Sequence, residues 1–408
     1  MYNYAMKNTV LLVFSPSSAN SNALISGVSS YARQRKWRLH MIDKADRRTL
    51  IEAIRFFDPI GCLVGGHIDK SCDPIELPTG LAKSLPVVYL DRDPFPENRQ
   101  IFCVAHDSTE TGRIAAKELL DLGLASYGYV AWNRPTYWNG MRLEGFTQEL
   151  RADGFIPEVF SPFGGSSTAR LKKMGRWLKR LPRPIGIFAA NDKTAADVLL
   201  VADRIGLKVP TDLVVIGVDN NLAICTACEP SITSVAPDFE RGGYLAARLL
   251  DERIANPKMP PTTRWFRPLT VQRRESTART AIDNPSIEKA IALIHEKACE
   301  GLRAKDVIAA MPGSRRYAER NFLKATGRSI LQAIIDIRLE KVKALLQKPN
   351  CNIDTIAARC GWASNNYLRR AFREHLNMSM SQWRKENITR PIPPSDGRSR
   401  ARQDKNRS

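Results

Sequence analysis

The stretch "IGIFAANDKTAADVLLVADRIGLKVPTDLVVIGVD", residues 185–219, decides the fold. Two apolar runs, 185–190 and 213–219, are rich in β-branched residues and bounded by turn formers, which predicts buried strands. Between them, "DKTAADVLLVADRIGL" repeats apolar residues at helical spacing, opens on Asp192 and closes at Gly206, as a capped helix does. A strand, a helix and a strand in so short a span form a crossover unit, which joins parallel strands. The same alternation extends from Thr9 to about Ser276. "VLLVF" (10–14), "IGCLVGG" (60–66), "PVVYL" (86–90) and "YGYVAW" (127–132) read as further buried strands, and "STETGRIAAKELLDLGL" reads as another capped helix. The expectation is an α/β region of parallel sheets with helices on both faces, whose ligands bind beyond the carboxyl ends of the strands.

After "RRESTARTAIDNP" (273–285) the strand pattern stops. Helical periodicity follows over 286–299, 303–311, 314–326, 329–347, 353–360, 364–376 and 379–385, and a charged, proline-rich tail begins at Glu386. The expected domains are therefore 1–276, a linker 277–285, an all-α domain 286–385 and a basic disordered tail 386–408. The chain of 408 residues carries a net charge of +20, and the excess is uneven. From Thr277 onward there are 26 Lys/Arg against 13 Asp/Glu, which points to a polyanionic partner, with nucleic acid ahead of an anionic membrane. No apolar run approaches the ~18 residues of a membrane span, and the N-terminus lacks a signal peptide pattern, so a cytoplasmic protein without membrane association is expected. The eight cysteines are scattered, and "CTAC" (225–228) lacks the second ligand pair of a zinc site, so neither metal nor cofactor is expected.

The helical domain contains a duplication. "SRRYAERNF" (314–322) returns fifty residues later as "SNNYLRRAF" (364–372), sharing Ser314/Ser364, Tyr317/Tyr367, Arg320/Arg370 and Phe322/Phe372, then Ser329/Ser379 and Gln332/Gln382. Each copy follows a short apolar helix and a tight turn, the form of a helix-turn-helix whose second helix opens on a Ser cap. In the second copy Tyr367, Leu368, Ala371, Phe372 and Leu376 share one face, and Asn365, Asn366, Arg369, Arg370 and Arg373 the other. The first copy turns Ala318, Phe322 and Ala325 inward and Arg315, Arg316, Glu319, Arg320 and Lys324 outward. Such outward sets suit the major groove, where Arg reads guanine, Asn reads adenine and Glu accepts from cytosine. Between the copies, "SILQAIIDIRLEKVKALLQ" (329–347) forms a helix of nineteen residues, roughly 28 Å long. With its flanks it can hold two reading helices about one DNA turn, roughly 34 Å, apart.

Residues 286–385 resemble the DNA-binding domain of the arabinose-regulator (AraC/XylS) family, most specifically through "IAARCGWASNNYLRRAFREHLNMSMSQWR". The resemblance implies base contacts from Arg316, Glu319 and Arg320 and from Asn366, Arg369 and Arg370. Trp362 stands where Phe is usual, and "NMSM" where Gly-x-Ser-Pro is usual. The N-terminal half is similar to the sugar-binding core of the lactose-repressor family, a two-lobed periplasmic-binding-protein-like fold. "FAANDKTAADVLLVADRIGLKVPTDLVVIGVDN" (188–220), "EPSITSVAPDFERGGYLAARLL" (229–250) and "RLEGFTQEL" (142–150) carry that likeness. It implies a sugar effector held by Arg142, Asn191 and Asp219. Asp192 is either a further ligand or a helix cap, and so is Asp107. Trp138 or Tyr137 either stacks on the sugar ring or packs, and the loop "SPSSAN" (15–20) borders the cleft.

The order of the two parts is the reverse of that in the repressors, and it resembles the family of bacterial xylose-operon activators over nearly the full chain. That likeness implies a homodimer on paired half-sites of double-stranded DNA, D-xylose as effector and RNA polymerase as partner. Asp192 and Asp219 as paired carboxylates also admit a glycosidase. No G-x-S-x-G, H-E-x-x-H or phosphate loop supports catalysis, so no catalytic residue is assigned.

Overall fold

Apolar runs become strands because a strand buried on both faces needs apolar side chains on both. The computed structural model describes residues 8–14, 19–42, 47–65, 85–91, 101–134, 136–161, 164–278, 284–347 and 352–387. Most of the expected tail, residues 279–283 of the expected linker and residues 15–18 of the "SPSSAN" loop lie outside the described residues. One sheet takes the order β11-β5-β4-β3-β1-β2, from β1 (Thr9–Val13), β2 (Arg38–Ile42), β3 (Gly61–Gly65), β4 (Val87–Leu90), β5 (Cys103–His106) and β11 (Thr263–Phe266). All its pairings are parallel. Helices α1 (Ala19–Arg35), α2 (Arg47–Phe57) and α8 (Phe239–Ala255) belong to this lobe.

The second sheet runs β12-β10-β9-β8-β6-β7, from β6 (Ser126–Val130), β7 (Glu158–Phe160), β8 (Ile185–Ala189), β9 (Leu213–Val218), β10 (Thr233–Pro237) and β12 (Pro268–Gln272). Only β12 runs antiparallel, against β10. Its helices are α3 (Ser108–Leu120), α4 (Tyr137–Ala152), α5 (Ser167–Leu178), α6 (Asp192–Arg204) and the single turn α7 (Leu222–Cys225). The six runs marked in the sequence are β1, β3, β4, β6, β8 and β9. Strands such as β2, "RLHMI", escape that reading because an exposed edge strand needs no apolar alternation.

The chain passes between the lobes at Asp107, Asp238 and Arg267. Backbone bonds tie these passages together, from the Asp107 N–H to Phe266 O at 2.8 Å and from Asp238 N–H to Arg267 O at 3.3 Å. In the second lobe α3 and α4 are in close contact because Gly112 and Gly145 carry no side chain. A Cβ on Gly145 would overlap the Thr109 carbonyl, and one on Gly112 the Arg142 carbonyl. This approach sets the depth of α4, and with it Arg142.

The remaining helices are α9 (Pro285–Lys297), α10 (Ala304–Ala309), α11 (Arg315–Thr326), α12 (Ile330–Leu346), α13 (Ile353–Arg359), α14 (Asn365–Leu376) and α15 (Met380–Asn387). Contacts group residues 1–286 with 312–321, and 287–311 with 322–408. The second group has its own core, in which Leu339, Val342 and Leu346 of α12 meet Ile356 of α13, Leu368 and Phe372 of α14 and Met380 of α15. Trp362 is buried in it, as expected of a residue in the Phe position.

Repeated residues do repeated work. The Ser314 and Ser364 hydroxyls cap α11 and α14 by accepting from the Tyr317 and Tyr367 amides, each at 3.2 Å. Ser329 and Ser379 do the same for α12 and α15, through the amides of Gln332 at 3.1 Å and Gln382 at 3.2 Å. Asn377 closes α14 in the left-handed region, φ 56°, and so fills the place of the usual glycine. Two expectations differ. Leu331 is 51% exposed and Tyr367 is 41% exposed, because Leu331 lies at the first turn of α12 and Tyr367 packs only its edge on Trp362.

Candidate functional site

Of the expected cleft residues, Arg142, Asp219 and Trp138 are brought into contact in the first unit. Arg142, one turn into α4, is buried. Its guanidinium donates to the Ala190 carbonyl at the end of β8 and reaches Asp219, beyond β9, at 3.5 Å. The face of its guanidinium lies 4.6 Å from the Trp138 ring centre. Asp219 sits in the left-handed region, φ 102°, which turns its carboxyl out of the strand line. Burial raises its pKa to about 7; Arg142 opposes the rise, Asp192 and Asp91 add to it, and a hydrogen bond from Asn20 opposes it. Asn20 belongs to the "SPSSAN" loop, so the described end of that loop does reach Asp219.

Asp192 and Asn191 divide their work. Asn191 is the cap of α6, its Oδ1 accepting from the Thr194 amide at 2.9 Å and hydroxyl at 2.8 Å. Asp192 is buried and accepts from the Ser234 hydroxyl at 2.6 Å and the Asn221 amide at 2.7 Å. Burial lifts its pKa to about 6 against those bonds and one from the Cys225 thiol. Cys225 of "CTAC" is thus a buried, protonated donor, its own pKa raised to about 12 by burial and by Asp192. Asp192 therefore braces the loop after β9, one step behind Asp219. Asp107 caps α3, accepting from the Glu110 amide at 2.9 Å.

Three contributors escaped the sequence reading. Asp91, at the end of β4, accepts from the Tyr137 hydroxyl at 3.1 Å, and burial ahead of Asp91's charge holds that phenol well above its ordinary pKa. Asn139 accepts from the Tyr129 hydroxyl and the Trp132 amide, both at 2.9 Å, fixing the loop before α4. His106 lies buried between Ser108 and Thr111, its pKa well below normal through burial and then Arg142. A signal existed for Asp91: like Asp219, it directly follows an apolar strand. Arg142 Nε, Asn133 Oδ1 and Thr136 Oγ1 are buried and have no partner among the described residues. Unmatched polar atoms on Arg142 and on the loop before α4 are groups that a polyhydroxylated ligand can satisfy. Among the described residues no group of metal-ligating side chains occurs.

The two reading faces differ. On α14, Asn366, Arg369, Arg370 and Arg373 are exposed and Asn365 half-buried, with Arg370 3.3 Å from Glu374. On α11, Arg315 and Arg316 are exposed, and Arg315 pairs with Glu319 at 2.9 Å. Arg320 is half-buried rather than fully exposed as expected. It pairs at 2.8 Å with Asp153, within the first unit, where Tyr317 is buried and shares a hydrogen bond with Tyr127 at 3.1 Å. The cause is Tyr317, whose ring packs edge-on against Phe155 at 4.9 Å and draws its helix neighbours with it.

Residues 116–277 match the periplasmic binding protein-like domain family, and residues 308–386 a helix-turn-helix domain family. The chain joins a periplasmic binding protein-like domain to a helix-turn-helix domain, the composition of a DNA-binding transcription regulator. It is similar nearly end to end to xylose operon regulatory proteins. That of Escherichia coli K12 is 25% identical over 94% of this chain and 98% of its own, and that of Haemophilus influenzae 25% identical over 92% and 97%. A solved xylose-binding transcription activator shares the fold, with a TM-score of 0.57 at 23% identity, over 93% of this chain and 98% of the other.

Proposed function

We propose that the chain is a cytoplasmic activator of pentose catabolic genes with D-xylose as its effector. The reading is carried by buried Arg142 and its half-buried partner Asp219, with unmatched polar atoms on Arg142 and the loop before α4, in a chain whose likeness to xylose operon regulators spans both domains. Arg142 and Asp219 hold sugar hydroxyls, Arg142 donating and Asp219 accepting. Asn191 offers its amide nitrogen, since its oxygen is engaged in the cap. Trp138 lends a ring face. Asp192 and Asp107 act behind the site, as brace and cap. Asn365, Asn366, Arg369, Arg370 and Arg373 read one major groove, and Arg315, Arg316 and Glu319 another, which Arg320 joins once it gives up its pair with Asp153. Residues 277–285 link the sensor to the reader. No described helix is long and apolar enough to cross a membrane.

The protein acts as a homodimer on paired half-sites. Sugar shifts the population of the dimer arrangement that engages both of them and presents the protein to RNA polymerase. The test has two parts. In a thermal-shift screen of pentoses and hexoses, D-xylose is expected to raise the melting temperature most, because a ligand that binds only the folded state stabilises it. In gel shifts, inserting about five base pairs between the half-sites removes the sugar-dependent gain and about ten restores part of it. A screen in which no pentose acts would discard the effector assignment; equal sugar enhancement on all spacings would discard the dimer mechanism.

A further inference from the structure

The charge of the sensor half is concentrated in one place. Between Glu158 and Asp192 the chain holds seven Lys/Arg and no acid, while the first 276 residues as a whole carry a net +7. One segment therefore accounts for the whole excess, and the rest of that half is balanced. The segment is α5 with the turn that follows it. Lys172, Lys173, Arg176, Lys179, Arg180 and Arg183 are all exposed. None forms an ion pair among the described residues, whereas Arg35, Arg248, Arg264 and Arg273 of the same unit all do. Lys172, Arg176 and Lys179 follow at four- and three-residue spacing and so share one edge of the helix. The opposite face, Met174 and Leu178, is buried in the lobe, which holds the cations outward on a rigid element. Arg204 of α6 stands on the other side of a groove shared with Lys172, Arg176 and Lys179.

A row of uncompensated cations repels itself, and it gains free energy when a partner brings regularly spaced anions. The partner already in the complex has them: DNA carries one phosphate per ~1.7 Å of axis. We propose that the α5 face is a second DNA-contact surface, binding the phosphate backbone outside the operator core without reading sequence. The inference rests on the chain being a DNA-binding regulator, but not on which residues read bases or which sugar is bound.

The test uses the full-length protein and the quadruple variant Lys172→Gln, Arg176→Gln, Lys179→Gln, Arg180→Gln. All four side chains are exposed, so an unchanged melting curve and sugar response report an intact sensor. A duplex footprinted by the parent is trimmed to the protected core or extended by about 40 base pairs on each side, and binding is titrated against salt. On the extended duplex the variant is expected to bind about tenfold more weakly, with a log–log salt slope shallower by about 2–3. On the trimmed core parent and variant should match.

Equal affinity and slope on the extended duplex would overturn the proposal. The parent's binding to the trimmed core would then still support the regulator reading, so the two failures are distinguishable. A variant that binds both duplexes normally but no longer activates transcription with purified polymerase would assign the face to an acidic protein surface, and that too would overturn it.

Discussion

Replacing Asp219 by Asn should stabilise the unliganded sensor and weaken its sugar binding, two effects of opposite sign from one atom. Asp219 is shifted from 3.8 to about 7, a net value that already includes the attraction of Arg142. The burial cost and the repulsion from Asp192 and Asp91 therefore exceed that attraction. A group whose folded pKa lies above its unfolded pKa contributes stability that is fully present below the unfolded value and is lost as pH rises through the folded one. The relevant window runs from about pH 4 to about pH 7. The full gap corresponds to about 4 kcal/mol at ~1.4 kcal/mol per pH unit. The side chain keeps 22% of its surface exposed. Solvent screening reduces the realised effect to about 1–3 kcal/mol.

At pH 8 the variant should therefore melt a few degrees above the parent, at roughly 2–4 °C per kcal/mol for a unit of this size. At pH 5 the carboxyl is protonated in the folded protein but ionised in the unfolded chain, so the difference should shrink to roughly 40% of its pH 8 value and vanish only below about pH 4. Affinity moves the other way: an amide offers a weaker acceptor than a carboxylate, and charged hydrogen bonds contribute about 1.5–3 kcal/mol, so the dissociation constant should rise at least tenfold. Melting curves at both pH values, with calorimetric titration of D-xylose at pH 8, make the comparison. Identical parent and variant melting at pH 8, or a variant destabilised equally at both pH values, would refute the electrostatic argument.

Other outcomes follow from the same structure. Gly145→Ala should destabilise the first unit by several kcal/mol and lower sugar affinity together, because its methyl would meet the Thr109 carbonyl and push Arg142 out of place; thermal melting and titration report both. Trp362→Ala should cost about 3–5 kcal/mol in the second unit and abolish DNA binding while sugar binding persists, whereas Trp362→Phe should be tolerated, as gel shifts and sugar titration would show. Asn377→Ala should cost about 1 kcal/mol and Asn377→Gly should not, a difference readable in the DNA-binding domain's melting, since the position needs a positive φ. Arg370→Ala should weaken operator binding by about 1–3 kcal/mol and relax preference at one base, measured by footprinting on single-base variants.

What the sequence alone determined is the set of local periodicities. Continuous apolar runs placed six strands, helical spacing placed α3, α6 and the helices of the second unit, and a fifty-residue repeat of Ser, Tyr, Arg and Phe exposed the tandem helix-turn-helix. These depend on interactions within a few residues, so they are written in the chain itself. The cleft candidates Arg142 and Asp219 were legible for a related reason: strand ends in a parallel sheet converge on one edge, and the family resemblance named them. The tertiary structure decided everything that depends on which side chains meet. It used Asp192 as a brace because Ser234 and Asn221 arrive from other elements. It recruited Asp91 and Asn20 to the cleft from the opposite lobe. It also separated two copies of one repeat, burying Tyr317 beside Tyr127 and leaving Tyr367 half in water. The same residue at the same helical position takes either fate, because burial is set by the neighbour that packs against it, and that neighbour is distant in sequence.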